Sequence, residues 1–153
     1  NHIFNINIPS VIIRTSWLYS SYGHNFIFSI LRNAKEKQKL NVVFDQIGTP
    51  TYAYDLANVI VNIIQQEFPH KPQLFHFSNE GVTSWFDFAI TITKFANIKT
   101  PVSPILTKDY PTPAKRPHNS IMDKTKIKNY YNINIPYWLD SVYICLNKIL
   151  KNT

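Results

Sequence analysis

At 153 residues the chain has the length of one domain, and 44% hydrophobic against 16% charged residues reads as globular rather than disordered. No apolar run approaches the ~20 residues of a membrane span. The formal net charge of +7 admits nucleic-acid binding, but the cations are scattered in small groups at 35–39, 115–116 and 124–128. None is interleaved with aromatics in a binding motif. A solvated helix face accounts for most of the lysines, so neither nucleic acid nor membrane is expected as a partner.

The first residues, Asn1-His2-Ile3-Phe4, carry neither an initiator Met nor the basic-then-apolar order of a signal peptide. They read as the middle of a longer gene product. In chain order, Val11 to Ser16 is a β-branched run after Pro9, a buried strand. Phe26, Ile27, Ile30, Leu31 and Ala34 give residues 25–37 the spacing of an amphipathic helix, with Asn25 at its start. Residues 40–44 form a second strand, and 45–51 a loop in which Gly48 and Pro50 supply the turns. Asp55 is placed to cap a helix reaching about Gln66. Residues 73–78 read as a strand, 79–81 as a turn, and Thr83 or Ser84 as the cap of a helix carrying Phe86, Phe88, Ala89, Ile92 and Phe95. A short strand at 101–106 precedes a proline-rich loop at 110–117. A short helix starts at Asp123, and the last helix runs from Trp138 to about Lys151. This alternation is an α/β pattern with partly parallel strands.

Cys145, between Ile144 and Leu146, is the single cysteine. It can form no internal disulfide and reads as core packing in a protein of the reducing cytoplasm. The three glycines, Gly23, Gly48 and Gly81, are too dispersed for a dinucleotide turn or a P-loop. There is no Tyr-x-x-x-Lys, the pair by which short-chain dehydrogenases deliver a proton, and no paired Cys/His spacing for zinc. No catalytic residue and no metal site are therefore expected within this chain. His24, His70, His76 and His118 show no spacing that suggests a triad.

The remaining motifs resemble one family. Arg14-Thr15-Ser16-Trp17-Leu18-Tyr19, Gly23 with Asn25-Phe26, and Asp45-Gln46-Ile47-Gly48-Thr49-Pro50-Thr51-Tyr52 with Asp55-Leu56-Ala57 are similar to the C-terminal half of dTDP-4-dehydrorhamnose reductase. So are Gly81-Val82-Thr83-Ser84-Trp85-Phe86-Asp87-Phe88-Ala89 and Tyr110-Pro111-Thr112-Pro113-Ala114-Lys115-Arg116-Pro117. One such stretch is a weak signal, whereas five in order from Pro9 to the end are a specific one. The resemblance implies an extended short-chain dehydrogenase with a Rossmann-like fold, of which residues 1–153 are the substrate-binding part. The activity it implies is reduction of dTDP-4-dehydro-L-rhamnose to dTDP-L-rhamnose with NADPH or NADH, in nucleotide-sugar and polysaccharide (lipopolysaccharide) biosynthesis. The cofactor-binding half, with its glycine turn and Tyr/Lys pair, precedes this point in the family, so the chain alone is expected to bind no cofactor and to be inactive. Its expected partners are the dTDP-sugar, its own N-terminal half and a second copy of itself.

The resemblance also assigns roles. Arg14, Thr15 and Ser16 lie beside the nicotinamide, and Trp17 packs on the apolar face of the deoxysugar, although the residue alone reads as a core aromatic. Arg116 meets the diphosphate, where a guanidinium can bind oxygens bidentately; without the motif it reads as a solvated surface arginine. Gln46, Thr49 and Thr51 contact base or ribose, and Asn25 either joins the site or only caps its helix. Some members bind Mg²⁺ through acids following the Asp-Gln-x-Gly-x-Pro-Thr stretch, where this chain has Tyr52, Tyr54 and Leu56 around Asp55. Two other readings remain: a non-catalytic regulatory subunit related to that of methionine adenosyltransferase, and a basic binding module. A reductase of another dTDP- or UDP-linked keto sugar is a third.

Overall fold

In the computed structural model, which describes residues 2–151, short paired strands carry helices in two packed groups. A short helix α1 (His2–Ile6) leads into β1 (Val11–Arg14), which pairs in parallel with β6 (Gln73–His76), Val11 facing Gln73. Against this pair pack Val59 and Ile63 of α3 (Ala53–Ile64) and Ile127 and Tyr131 of α5 (Thr125–Tyr131), around the fully buried Phe75 and Phe77. The second group is larger. β3 (Leu40–Val43) and β8 (Val102–Ile105) are parallel. Over and beside them lie α2 (Phe26–Glu36), α4 (Trp85–Phe95) and α6 (Trp138–Lys151), burying Ile27, Phe88, Ile92, Val142 and Leu146. The 3.6-residue spacing of these apolar positions puts them on one face of each helix, and burial of that face holds the helices in place.

Four strands of two residues each cross-link the groups. β2 (Leu18–Tyr19) runs parallel to β5 (Thr51–Tyr52), and β4 (Ile47–Gly48) antiparallel to β7 (Thr83–Ser84). The 45–51 segment, expected as a loop, thus contains β4 and reaches β5, because its partners are supplied from 33 or more residues away. The caps match expectation at two helices. Asn25 Oδ1 accepts the Ile27 N–H at 3.1 Å, and Ser84 Oγ accepts that of Asp87 at 3.0 Å.

Asp55 corrects the expectation that it caps α3. The N-cap position is Tyr52 and carries no side-chain cap, while Asp55 sits in the first turn. Its Oδ2 instead accepts from Asn79 Nδ2 at 2.7 Å and from the Ser141 hydroxyl at 2.5 Å. Asn79, fully buried, also accepts the Tyr52 N–H through Oδ1 at 2.8 Å, and its carbonyl takes the Lys124 ammonium at 2.9 Å. Lys124 and Lys128 both pair with Glu80, at 3.1 and 2.9 Å. This network joins the start of α3, the end of β6, α5 and α6 at the seam between the two cores. Burial alone would raise the Glu80 carboxyl, but the hydrogen bonds from Lys128 and Lys124 outweigh it and hold the group below its usual range. Burial pushes the Cys145 thiol up to about 12, so it stays protonated as packing.

No helix among the described residues is long and apolar enough to cross a membrane.

Candidate functional site

The loop after β1 and the 45–52 segment are stitched together. Thr15 Oγ1 donates to Thr51 Oγ1 at 3.1 Å, Ser16 Oγ to the Thr49 carbonyl at 3.2 Å, and the Thr51 N–H to the Trp17 carbonyl at 3.1 Å. Thr49 and Thr51 are 1% and 0% exposed, and the Thr49 hydroxyl donates to the Gly81 carbonyl at 2.5 Å. Both threonines therefore brace the loop from inside. Arg14 and Thr15 remain exposed at the strand end.

Trp17 adopts φ +48°, the left-handed region that bulky residues avoid at a cost of roughly 1–3 kcal/mol. Its ring stacks on Trp85 with centroids 3.7 Å apart and planes 12° apart. Gly48 lies under the ring edge, where a Cβ would stand 2.8 Å from Trp17 Cε2. Only glycine admits that approach.

Beside this stack opens a cavity of about 600 Å³, lined by Trp85, Gln46, Asn33, Lys37, Tyr110 and Arg116 among others. The structure thus brings two of the expected residues, Gln46 and Arg116, to one cavity and sets Trp17 behind Trp85 at its side. Gln46 is buried, and its amide donates to Thr107 Oγ1 at 3.1 Å. The hydroxyl and N–H of Thr107 both donate to Asp45 Oδ1, at 2.7 and 2.9 Å, and the hydroxyl bond in particular holds the Asp45 carboxyl below its usual range. The proline-rich loop bearing Arg116 is anchored beyond it by backbone bonds of Ile47 with His118 and Ser120, at 2.8 and 2.9 Å. Arg116 itself is exposed. A loop fastened at both ends, with Pro113 and Pro117 inside it, presents that guanidinium at low entropic cost.

Asn25 is placed elsewhere. Its amide caps α2 and donates to the Ser20 and Tyr22 carbonyls at 2.8 and 3.3 Å, beside a smaller cavity of about 240 Å³ with His24 and Arg32. Lys37 and Lys39 are exposed, as the solvated-face reading has it, and also line the larger cavity with a single acid, Asp109. Ser29 and Asn33, one turn apart on α2, line it beside Lys37, the extended residue that follows the helix. The cavity's cations suit an anion, and the indoles suit an apolar ring face.

Among the described residues no group of three His, Cys, Asp or Glu is placed to hold a metal ion. Near Asp55, the Lys148 ammonium lies 4.2 Å from the Tyr54 ring centroid, a cation where a metal ligand set would need negative charge. The glycines build no dinucleotide cradle: Gly48 is packed on Trp17, and Gly81, at φ +89°, sits under Tyr137. The residues present do not fit a nicotinamide dinucleotide by themselves.

Parallel strand pairs carrying packed helices, with a cation-edged cavity beside stacked indoles, make an α/β lobe with one candidate binding cavity. The RmlD substrate binding domain model matches residues 2–151, and the chain belongs to that family. A dTDP-4-dehydrorhamnose reductase of Aggregatibacter actinomycetemcomitans is 41% identical over 146 residues, 89% of this chain and 49% of that protein. A crystal structure of dTDP-4-dehydrorhamnose reductase from Bacillus anthracis, in complex with NADP, superposes with a TM-score of 0.82 at 36% identity, covering 94% of this chain and 48% of that one. A dTDP-glucose 4,6-dehydratase from the same organism shares the fold, with a TM-score of 0.73 at 14% identity over 93% of this chain and 45% of its own. The chain spans about half the length of the relatives it matches.

Proposed function

We propose that this chain is the substrate-binding half of a cytoplasmic reductase that converts dTDP-4-dehydro-L-rhamnose to dTDP-L-rhamnose with NADPH, NADH being the alternative, in polysaccharide precursor synthesis. The observation that carries the reading is the single cavity holding Arg116 and Gln46 beside the Trp17–Trp85 stack. In it the diphosphate lies against Arg116, with Lys37 and Lys39 adding positive potential. Gln46 reads the base or ribose, its buried amide oriented by Thr107. Thr49 and Thr51 hold the loop that shapes the pocket rather than touching the ligand. Trp17 presents an apolar face to the deoxysugar, and Arg14, Thr15 and Ser16 form the edge that meets the nicotinamide. Asn25 contributes by starting α2.

A nicotinamide cofactor would supply the hydride, and its site and the proton donor would belong to a second half, since the residues of this chain do not hold it. That half is the proposed partner, supported by the one-sided pairing of β1 and by the exposure of Ile3, Phe4, Ile6 and Ile8 next to it, at 49, 44, 62 and 59%. A second copy is the competing occupant. Calorimetric titration with dTDP and with dTDP-L-rhamnose tests the reading. Binding of both, tighter for the sugar nucleotide and with S-adenosylmethionine and DNA inert, supports it; absence of dTDP binding refutes it.

A further inference from the structure

Trp85 lines the cavity, stacks on Trp17 and is itself fixed in place. It is the first residue of α4, directly after the capping Ser84 and the β4–β7 pairing. Phe26 tilts against it at 4.6 Å and Phe88, fully buried, at 6.3 Å, so the indole is held from the core side. Trp17 is held differently. Its backbone is pinned by the Thr51 N–H and by Ser16 to Thr49, in a left-handed conformation that persists only where the surroundings over-determine it. Those bonds act on its backbone, not on its ring. The ring meets Trp85 across its face and Gly48 at its edge. Trp17 is half-buried, so it keeps surface for a ligand.

We propose that Trp85 is a positioning residue for sugar recognition: it holds the Trp17 indole at the angle at which that ring meets the sugar. Trp85 acts through Trp17, and the inference rests on the reading of Trp17 as the sugar wall. Because Trp85 also lines the nucleotide cavity, its effect is isolated as the sugar increment, the ratio of the Kd for dTDP to that for dTDP-L-rhamnose.

The test measures both affinities by calorimetry in the full-length protein for wild type, Trp17→Leu, Trp85→Leu, Trp85→Phe and the double leucine variant. The expected result is that Trp85→Leu cuts the sugar increment about two- to tenfold, the range for one aromatic pair. Trp17→Leu cuts it at least as far, the double variant no further than Trp17→Leu, and Trp85→Phe restores most of it. The far-ultraviolet exciton couplet of two stacked indoles is present in wild type and lost in either leucine variant. A purely structural Trp85 would lower the melting temperature and both affinities together, leaving the ratio unchanged, and that result overturns the proposal. If Trp17→Leu also keeps the full increment, the sugar-wall reading itself fails and takes the proposal with it. Should Trp85→Leu not fold, Trp85→Phe and Trp85→Tyr are compared with Trp85→His: an increment that does not follow ring area overturns the idea.

Discussion

Replacing Arg116 with alanine removes one guanidinium from the rim of the cavity and leaves its loop fastened by backbone bonds of Ile47 to His118 and Ser120. A hydrogen bond to a charged group is worth about 1.5–3 kcal/mol. Arg116 is exposed, and Lys37 and Lys39 line the same cavity, so water and two neighbouring cations share the phosphate charge. The lower end applies, about 1.5 kcal/mol, or roughly a tenfold rise in Kd. Calorimetry with dTDP and with thymidine separates the diphosphate from the base: Arg116→Ala weakens dTDP about tenfold and thymidine hardly at all. Since the contact is solvent-accessible, the wild-type advantage shrinks as salt rises. A dTDP affinity within about twofold of wild type, under ~0.5 kcal/mol, or an equal loss for thymidine, would refute a phosphate role.

Asn79→Ala strips partners from the Tyr52 N–H, Asp55 and Ser141 at once, and is expected to destabilise the fold by about 2–4 kcal/mol in urea titration. Because the folded-state pKa of Glu80 is depressed, its contribution is full above its ordinary value near 4.5 and disappears as pH falls through the folded pKa; melting from about pH 6 to 3 follows that loss, and Glu80→Gln flattens part of it. The chain alone is expected to bind no NADPH; micromolar binding in calorimetry, with a monodisperse monomer by light scattering, would contradict the proposed two-half arrangement.

The helices with long apolar periods were legible from the sequence because their partners lie one turn away: α2 and α6 fall within a residue or two of expectation. The two-residue strands were not, since Leu18 finds Thr51 and Ile47 finds Ser84 only once distant loops have closed. Asp55 shows the same limit at a single side chain. An acid near a helix start suits a cap as well as a tertiary acceptor, and Asn79, 24 residues on, decides between them. At the candidate site, Arg116 and Gln46, expected from their motifs, line one cavity together with Lys37 and Lys39, and nothing local in the sequence distinguishes a lysine at a cavity rim from one facing bulk water.

What gives the proposed site its shape is therefore not the elements with the strongest local signals. Trp17 follows β1, which packs in one core, but its ring joins Trp85 of α4 against the other, and the 45–52 segment bonds to Thr15 and Ser16 on one side and to Thr107 and Ser84 on the other. The end of that segment is secured by Asn79, whose remaining bonds reach α3 and α6. A ligand lodged at the cavity thus meets groups whose positions depend on both cores being formed and joined. Substitutions in the seam, though outside the cavity, act on recognition through the same few bonds that hold the two cores together, whereas substitutions on the scattered lysines of the outer faces do not.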